Sequence, residues 1–295
     1  MTRRTFSKIF GACCTQAAAS ARPGSPMDRV GMATSTFRAW FDQTRIKDHP
    51  PTRTLTLLGV PEFYADRFKC HNLEFWSKHF ESQTPSYVAE LKRRIQAAKS
   101  KLINIQIDSR YELGSPDEVF RRKSLDLVKS WIDTAAAAGA RSVRANTGNG
   151  SPDRCIESYR ELKQYAKDKK VLLLTENHAG ISMELEILLR ILREVGADNF
   201  EVTPDFGNLS SQTRYTDLRK ILPYAKHIIS AKATEIGEDG SHAEFDFDKC
   251  MTIAQAAGFP GYYSAENWAP NSKRTDYENI ADWMVQHIVA GLSRG

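Results

Sequence analysis

Val171-Leu172-Leu173-Leu174-Thr175-Glu176-Asn177-His178-Ala179-Gly180 is a run of apolar residues that ends in a carboxylate and an imidazole. Its length and continuous apolar character read as a buried strand. Side chains alternate along a strand, so Glu176 and His178 share one face and Asn177 takes the other. A carboxylate at the end of such a strand is costly to desolvate, so a metal, a cation or water is expected beside it.

The same pattern repeats on both sides of this stretch. Before it come Val30 to Thr34, His71 to Trp76, Leu102 to Asp108 and Ser142 to Asn146; after it come Phe200 to Asp205, His227 to Lys232 and Gly261 to Glu266. Each is followed by a segment with helical spacing. Leu55 to Val60 leads into Pro61 and a helix through Phe68, and Ser86 opens one that runs to about Lys99. Ser115 is expected to cap the next helix, with Pro116 in its first turn and Gly139 as its stop; Ser151-Pro152 opens another that ends near Lys170. Met183 to Val195, Leu209 to Leu222, Phe247 to Ala257 and Tyr277 to Leu292 complete the series. Eight strands alternating with helices predict an α/β fold, a closed parallel (β/α)₈ TIM barrel with its site at the C-terminal strand ends; a doubly wound open sheet is the second choice.

A chain of 295 residues with 41% hydrophobic content is long enough for such a barrel as one domain, expected over residues 28–295. Residues 1–27 read as a signal peptide and linker. Thr2-Arg3-Arg4-Thr5-Phe6-Ser7-Lys8 resembles a bacterial twin-arginine export signal, Ile9 to Ala18 is weakly apolar, and Ala19-Ser20-Ala21 fits a cleavage site. This predicts an exported, periplasmic protein, or a cytoplasmic one if the signal does not function. Of the formal +5 net charge, Arg3, Arg4 and Lys8 supply three, and their loss leaves +2, which is no nucleic-acid signature. No later segment reaches the roughly 18 apolar residues of a membrane span. The cysteines that remain after the expected signal, Cys70, Cys155 and Cys250, are odd in number and widely spaced, which suggests neither a disulfide framework nor a zinc knuckle. Oligomeric state stays open, a homo-oligomer included.

In a closed barrel the ends of strands five, six and eight bring together Glu176, Asp205 and Glu266. Helix capping explains any one of them; three at matching positions suggest an oxygen-rich site for a divalent cation (Mn²⁺, Mg²⁺, Co²⁺ or Zn²⁺) that relieves their repulsion. Glu176-Asn177-His178-Ala179-Gly180-Ile181-Ser182, Pro204-Asp205-Phe206-Gly207-Asn208 and Ser230-Ala231-Lys232 resemble the xylose-isomerase-like sugar phosphate isomerase/epimerase superfamily, in particular its exported bacterial branch. His71 to Trp76 and Arg144 to Gly148 fit the same branch, and the resemblance covers about residues 28–292. It implies a metal held by Glu, Asp, His and Glu from strands five to eight, and two glutamates that move a proton across or along a sugar through an enediolate. Glu176 and Glu266 match those glutamates and Asp205 the aspartate. Ser230 stands where the family places its histidine, and Asn208 stands where a further histidine is common. His178 is therefore a candidate fourth metal ligand, or a substrate contact instead.

Lys232 shares the face of Ser230 and is a candidate for stabilising an oxyanion, touching a substrate hydroxyl, or replacing the metal as counter-ion; a Schiff base is disfavoured by the three carboxylates. Arg144 and Asn146 are expected to face inward and hold polyol oxygens, with an ion pair from Arg144 to Glu176 or Glu74 as the plain alternative. Trp76, Phe206 and Trp268 are candidate walls for a sugar ring, and His79 is a further candidate contact. The loop Thr147 to Pro152 offers backbone amides to a phosphate, or serves as a helix cap. The function expected is a metal-dependent sugar isomerase or epimerase with Glu176 and Glu266 as the acid/base pair. A keto-sugar lyase or dehydratase on the same site and a noncatalytic sugar-binding barrel are the alternatives.

Overall fold

The structure is a computed structural model that describes residues 24–45, 53–269 and 276–294. The expected export signal and cleavage site lie outside the described residues. Eight strands, β1 (Val30–Ala33), β2 (Asn72–Trp76), β3 (Lys101–Ile107), β4 (Ser142–Ala145), β5 (Leu172–Glu176), β6 (Phe200–Thr203), β7 (Ile228–Ala233) and β8 (Tyr262–Asn267), form one parallel sheet in the order 6-5-4-3-2-1-8-7. The two end strands meet beyond β6. The Ser230 amide donates to the Pro204 carbonyl (2.9 Å) and the Phe206 amide to the Ser230 carbonyl (3.1 Å), which closes the barrel at the pair Asp205 and Ser230. The expected TIM barrel is the fold found.

Helices α1 (Val60–Phe68), α2 (Pro85–Ala97), α3 (Glu118–Ala138), α4 (Pro152–Asp168), α5 (Leu185–Val195), α6 (Arg214–Ile221), α7 (Phe247–Ala256) and α8 (Tyr277–Ser293) alternate with the strands. Proline in the first turn of α1, α2 and α4 supplies a preset φ where the amide has no helical partner. The start of α3 corrects the sequence reading. Asp117, not Ser115, caps it, accepting from the amides of Val119 (2.9 Å) and Phe120 (3.2 Å), because its charge also favours the positive helix end. At the other end Gly139 adopts φ 79°, the left-handed stop that glycine reaches without strain. No described helix is long and apolar enough to cross a membrane.

Alternation along the strands sorts the core into two parts. On β5, Leu173 points outward and joins the large core between sheet and helices, whereas Leu174 belongs to a separate small cluster with Ile103 and Ile228. Leu174 lies two residues before Glu176 and Ile228 two before Ser230, so this cluster is the apolar floor of the barrel interior, with the polar site above it.

Candidate active site

Six charged side chains converge above that floor: Glu74 from β2, Arg144 from β4, Glu176 from β5, Asp205 after β6, Lys232 from β7 and Glu266 from β8. All are buried. Arg144 Nη1 pairs with Glu176 Oε2 at 2.5 Å, and Lys232 Nζ pairs with Asp205 Oδ2 at 2.6 Å. Asn208 bridges the two pairs, donating to Glu176 Oε1 (3.3 Å) and accepting from Lys232 (3.1 Å). Glu266 is held by Ser230 (2.8 Å), Ser35 (3.3 Å) and Gln106 (3.4 Å). Glu74 accepts from Asn104 at 2.7 Å.

The protonation pattern follows from burial and charge. Desolvation pushes Glu176 well above the carboxylate range, with Asp205 and Glu266 adding to the effect and Arg144 opposing it. Burial works in the same direction on Asp205, yet Lys232 together with hydrogen bonds from Glu176 and the Asn208 amide holds it below its ordinary value. Burial and then Glu266 raise Glu74. Desolvation would lower Lys232, but Asp205, Glu266 and Glu176 outweigh it and keep the ammonium charged, which opposes Schiff-base chemistry. Glu176 and Glu74 thus favour the neutral acid, while Asp205 stays charged opposite Lys232.

The residues read from the sequence as metal ligands do not fit a divalent cation in this arrangement. Asp205 Oδ2 is taken by an ammonium, Glu176 Oε2 by a guanidinium, and Glu266 by two hydroxyls and an amide. Among the described residues no three His, Cys, Asp or Glu side chains lie close enough to hold a metal. His178, two residues past the end of β5, lines a cleft of about 160 Å³ with Asn146, Tyr111, Gly148 and Gly180. Burial, then Arg144 and Lys232, lower its pKa to about 4, so the imidazole is neutral. Asn146 Oδ1 is buried beside that cleft without a hydrogen-bond partner, an acceptor left for a ligand.

Other sequence expectations divide. Trp76 donates to Asp108 (3.1 Å) and meets Trp268 edge to face at 5.7 Å; Trp268 is 43% exposed, as a platform at the mouth requires. Arg38 stacks over Trp268 at 4.7 Å. Phe206 is fully buried against Phe247, so it packs a loop and is no sugar wall. His79 is a correction as well. It is fully buried, stacked on Phe41 at 3.7 Å, with Nδ1 on Thr34 and Nε2 on Thr44 (2.9 Å each), and has no ring nitrogen to offer a ligand. In the loop Thr147 to Pro152 the Ser151 amide is spent on the Gly114 carbonyl at 2.8 Å.

Four supporting residues escaped the sequence reading. Asn177, on the opposite face from Glu176, accepts from the Asp205 amide (2.8 Å) and donates to the Asp205 carbonyl (3.0 Å), fixing where that carboxylate stands. Asn104 and Gln106 were detectable as alternating polar residues in the apolar β3. Ser35 gave no local signal, since its partner is 231 residues away.

Among solved structures the fold matches D-psicose 3-epimerase from Clostridium cellulolyticum H10 with D-tagatose (TM-score 0.65, 12% identity, 90% of this chain and 97% of that one). It also matches a sugar phosphate isomerase/epimerase from Parabacteroides distasonis (TM-score 0.63, 15% identity, 95% and 99% covered). A third match is a xylose isomerase-like TIM barrel protein from Mycobacterium smegmatis in complex with magnesium (TM-score 0.63, 16% identity, 91% and 99% covered). At these identities the likeness is one of fold. A comparison with curated proteins finds no match. The sequence model of one family matches residues 66–287, from α1 into α8 and so through seven of the eight strands, and on that evidence the chain belongs to the xylose isomerase-like TIM barrel family.

Proposed function

We propose that the barrel mouth carries a sugar isomerase or epimerase that works by proton transfer through an enediolate. The observation that carries this reading is the pair of acidic side chains in different surroundings. Glu176 is held as the neutral acid by burial against Asp205, while Glu266 is oriented by three donors from three other elements. In this reading the buried Glu176 is the acid, and Glu266, fixed in place by its three donors, is the base.

The sugar enters through the cleft lined by Asn146 and His178, whose polar edges meet its hydroxyls, with Trp268 against its apolar face. Glu266 takes the proton from the carbon next to the carbonyl. The electron pair of that C–H bond becomes the carbon–carbon double bond of the enediolate, and negative charge collects on the carbonyl oxygen. Lys232 and Arg144, both charged and buried, stabilise that oxygen more strongly than they would in water. Glu176 returns a proton to the opposite face, which gives an epimer, or to the neighbouring carbon, which gives an isomer. A cleft of about 160 Å³ suits one small ligand, below the roughly 300–1,000 Å³ of drug-sized pockets.

Incubation with ketopentoses, ketohexoses and their oxidised derivatives in D₂O, read by NMR, tests the proposal. Deuterium should enter at the carbon beside the carbonyl with an epimer or isomer as product, and Glu266→Gln should slow exchange by roughly 100- to 10,000-fold. Expulsion of a substituent would make the enzyme a lyase built on the same abstraction. Sugar binding without any exchange would leave a noncatalytic barrel.

A further inference from the structure

We infer that Lys232 is the resident cation of this barrel and that its ammonium stands in place of a divalent metal. Four features of the fold are built around it. Its ammonium contacts Asp205 Oδ2 at 2.6 Å and Asn208 Oδ1 at 3.1 Å, and lies 6.0 Å from the Trp268 ring centroid. Its stem passes directly over Gly207. A Cβ at that position would sit 2.7 Å from Lys232 Cδ, 3.0 Å from Cγ and 3.3 Å from Cβ. Gly207 has no positive φ, so its backbone does not call for glycine; the room it leaves is room for the lysine.

The other oxygen of Asp205 is committed as well. Oδ1 accepts from the amides of Gly207 (2.8 Å) and Asn208 (3.1 Å), and the Glu176 carboxyl hydrogen-bonds to the same side chain. Both oxygens of Asp205 are thus engaged, Oδ1 by two backbone amides and Oδ2 by the ammonium. Oxygen ligands must come within about 2.0–2.6 Å of Mg²⁺ or Ca²⁺, and an ammonium already at hydrogen-bond distance excludes such an ion from Oδ2. Arg144 does the same at Glu176, and Ser230 donates to Glu266 from the strand position where an imidazole ligand is expected by resemblance. The charge that stabilises an enediolate is therefore part of the polypeptide. This last role rests on the acid–base reading above; exclusion of the metal does not.

Metal content and metal binding test the inference without reference to turnover. Protein purified without chelators is analysed by mass spectrometry for metals, then titrated with Mn²⁺, Mg²⁺ and Zn²⁺ in a calorimeter, beside Lys232→Ala and Lys232→Met. The wild type should carry no stoichiometric metal, and neither EDTA nor Mn²⁺ should move its melting temperature. Lys232→Ala leaves the buried Asp205 charge unpaired beside an open space, so it should bind Mn²⁺ one to one and be stabilised by it. Lys232→Met fills that space and should not. Wild-type protein that binds one metal, with binding lost in Asp205→Asn, overturns the inference, and this holds whether or not the lysine variants fold. A folded Lys232→Ala that takes no metal overturns the assignment of the ammonium to the metal's place. Failure of every sugar to exchange a proton would remove the proposed activity and leave these binding results untouched.

Discussion

His79 shows what burial does to an ionisable residue in this barrel. Its ring is fully buried between two threonine hydroxyls and a phenylalanine face, and desolvation, assisted by Lys78, lowers its pKa to about 3. The unfolded chain binds that proton near pH 6.5, so the folded state is favoured above this value. Stability falls as pH drops from about 6.5 towards 3, by about 1.4 kcal/mol per pH unit for this one group. Urea unfolding at pH 7, 6 and 5 should show a shallower loss in His79→Gln than in the wild type by that amount; parallel slopes would place the acid sensitivity elsewhere. The sequence put His79 beside the mouth because it follows β2 directly. Its partners Thr34 and Thr44 come from the segment after β1, and no local pattern reports such a contact. Glu176, Arg144 and Lys232 were legible for the opposite reason: each is a polar residue inside an apolar strand, and alternation alone fixes the face it takes.

Among the elements, the seam between β6 and β7 is where fold and site are the same structure. Pro204 has no amide to continue a ladder, so β6 ends at Thr203 rather than at Asp205, and the chain pairs with β7 only through the carbonyl of Pro204 and the amide of Phe206. Asn177 reinforces this sparse seam from β5 by satisfying both backbone groups of Asp205. Asn177→Ala should leave a buried amide and a buried carbonyl without partners, at roughly 1–3 kcal/mol each. Chemical denaturation should therefore show a loss of about 2–6 kcal/mol, and the Asp205–Lys232 pair should loosen with it; a loss below about 1 kcal/mol would mean that water replaces the amide. Strand existence and order were legible in the repeated apolar runs. Element ends were not, because they depend on tertiary partners. The helix expected from Leu209 begins only at Arg214, whose guanidinium donates to the Phe206 carbonyl and stacks on Phe245 at 4.1 Å, drawing the preceding residues into the loop.

The molecule as a whole is layered along the barrel axis, with an apolar floor of Ile103, Leu174 and Ile228, a layer of paired charges above it, and the cleft of Asn146 and His178 at the top. This order is set by two-residue steps along the strands. Leu172, Leu174 and Glu176 climb one face of β5, with His178 two residues past its end, and Ile228, Ser230 and Lys232 climb β7 on the far side of β6. The step was visible in the sequence; the pairing of charges was not, since it needs the distances across the closed barrel. Leu173 and Leu174 separate the functions of the two faces. Both are fully buried, so replacing either by alanine should cost about 2–5 kcal/mol, read as a lower denaturation midpoint with an unchanged slope. Leu173→Ala opens space between sheet and helices, away from the charges, and under the proposed activity should keep the wild-type sugar affinity and pH profile. Leu174→Ala opens space directly beneath Glu176 and Arg144. Water entering there would relieve the desolvation that keeps Glu176 protonated, so its pKa should fall and the limb of the rate profile that reports its loss of a proton should move to lower pH. An unchanged profile in Leu174→Ala would mean that the floor only fills the barrel and that the paired charges alone set the acid.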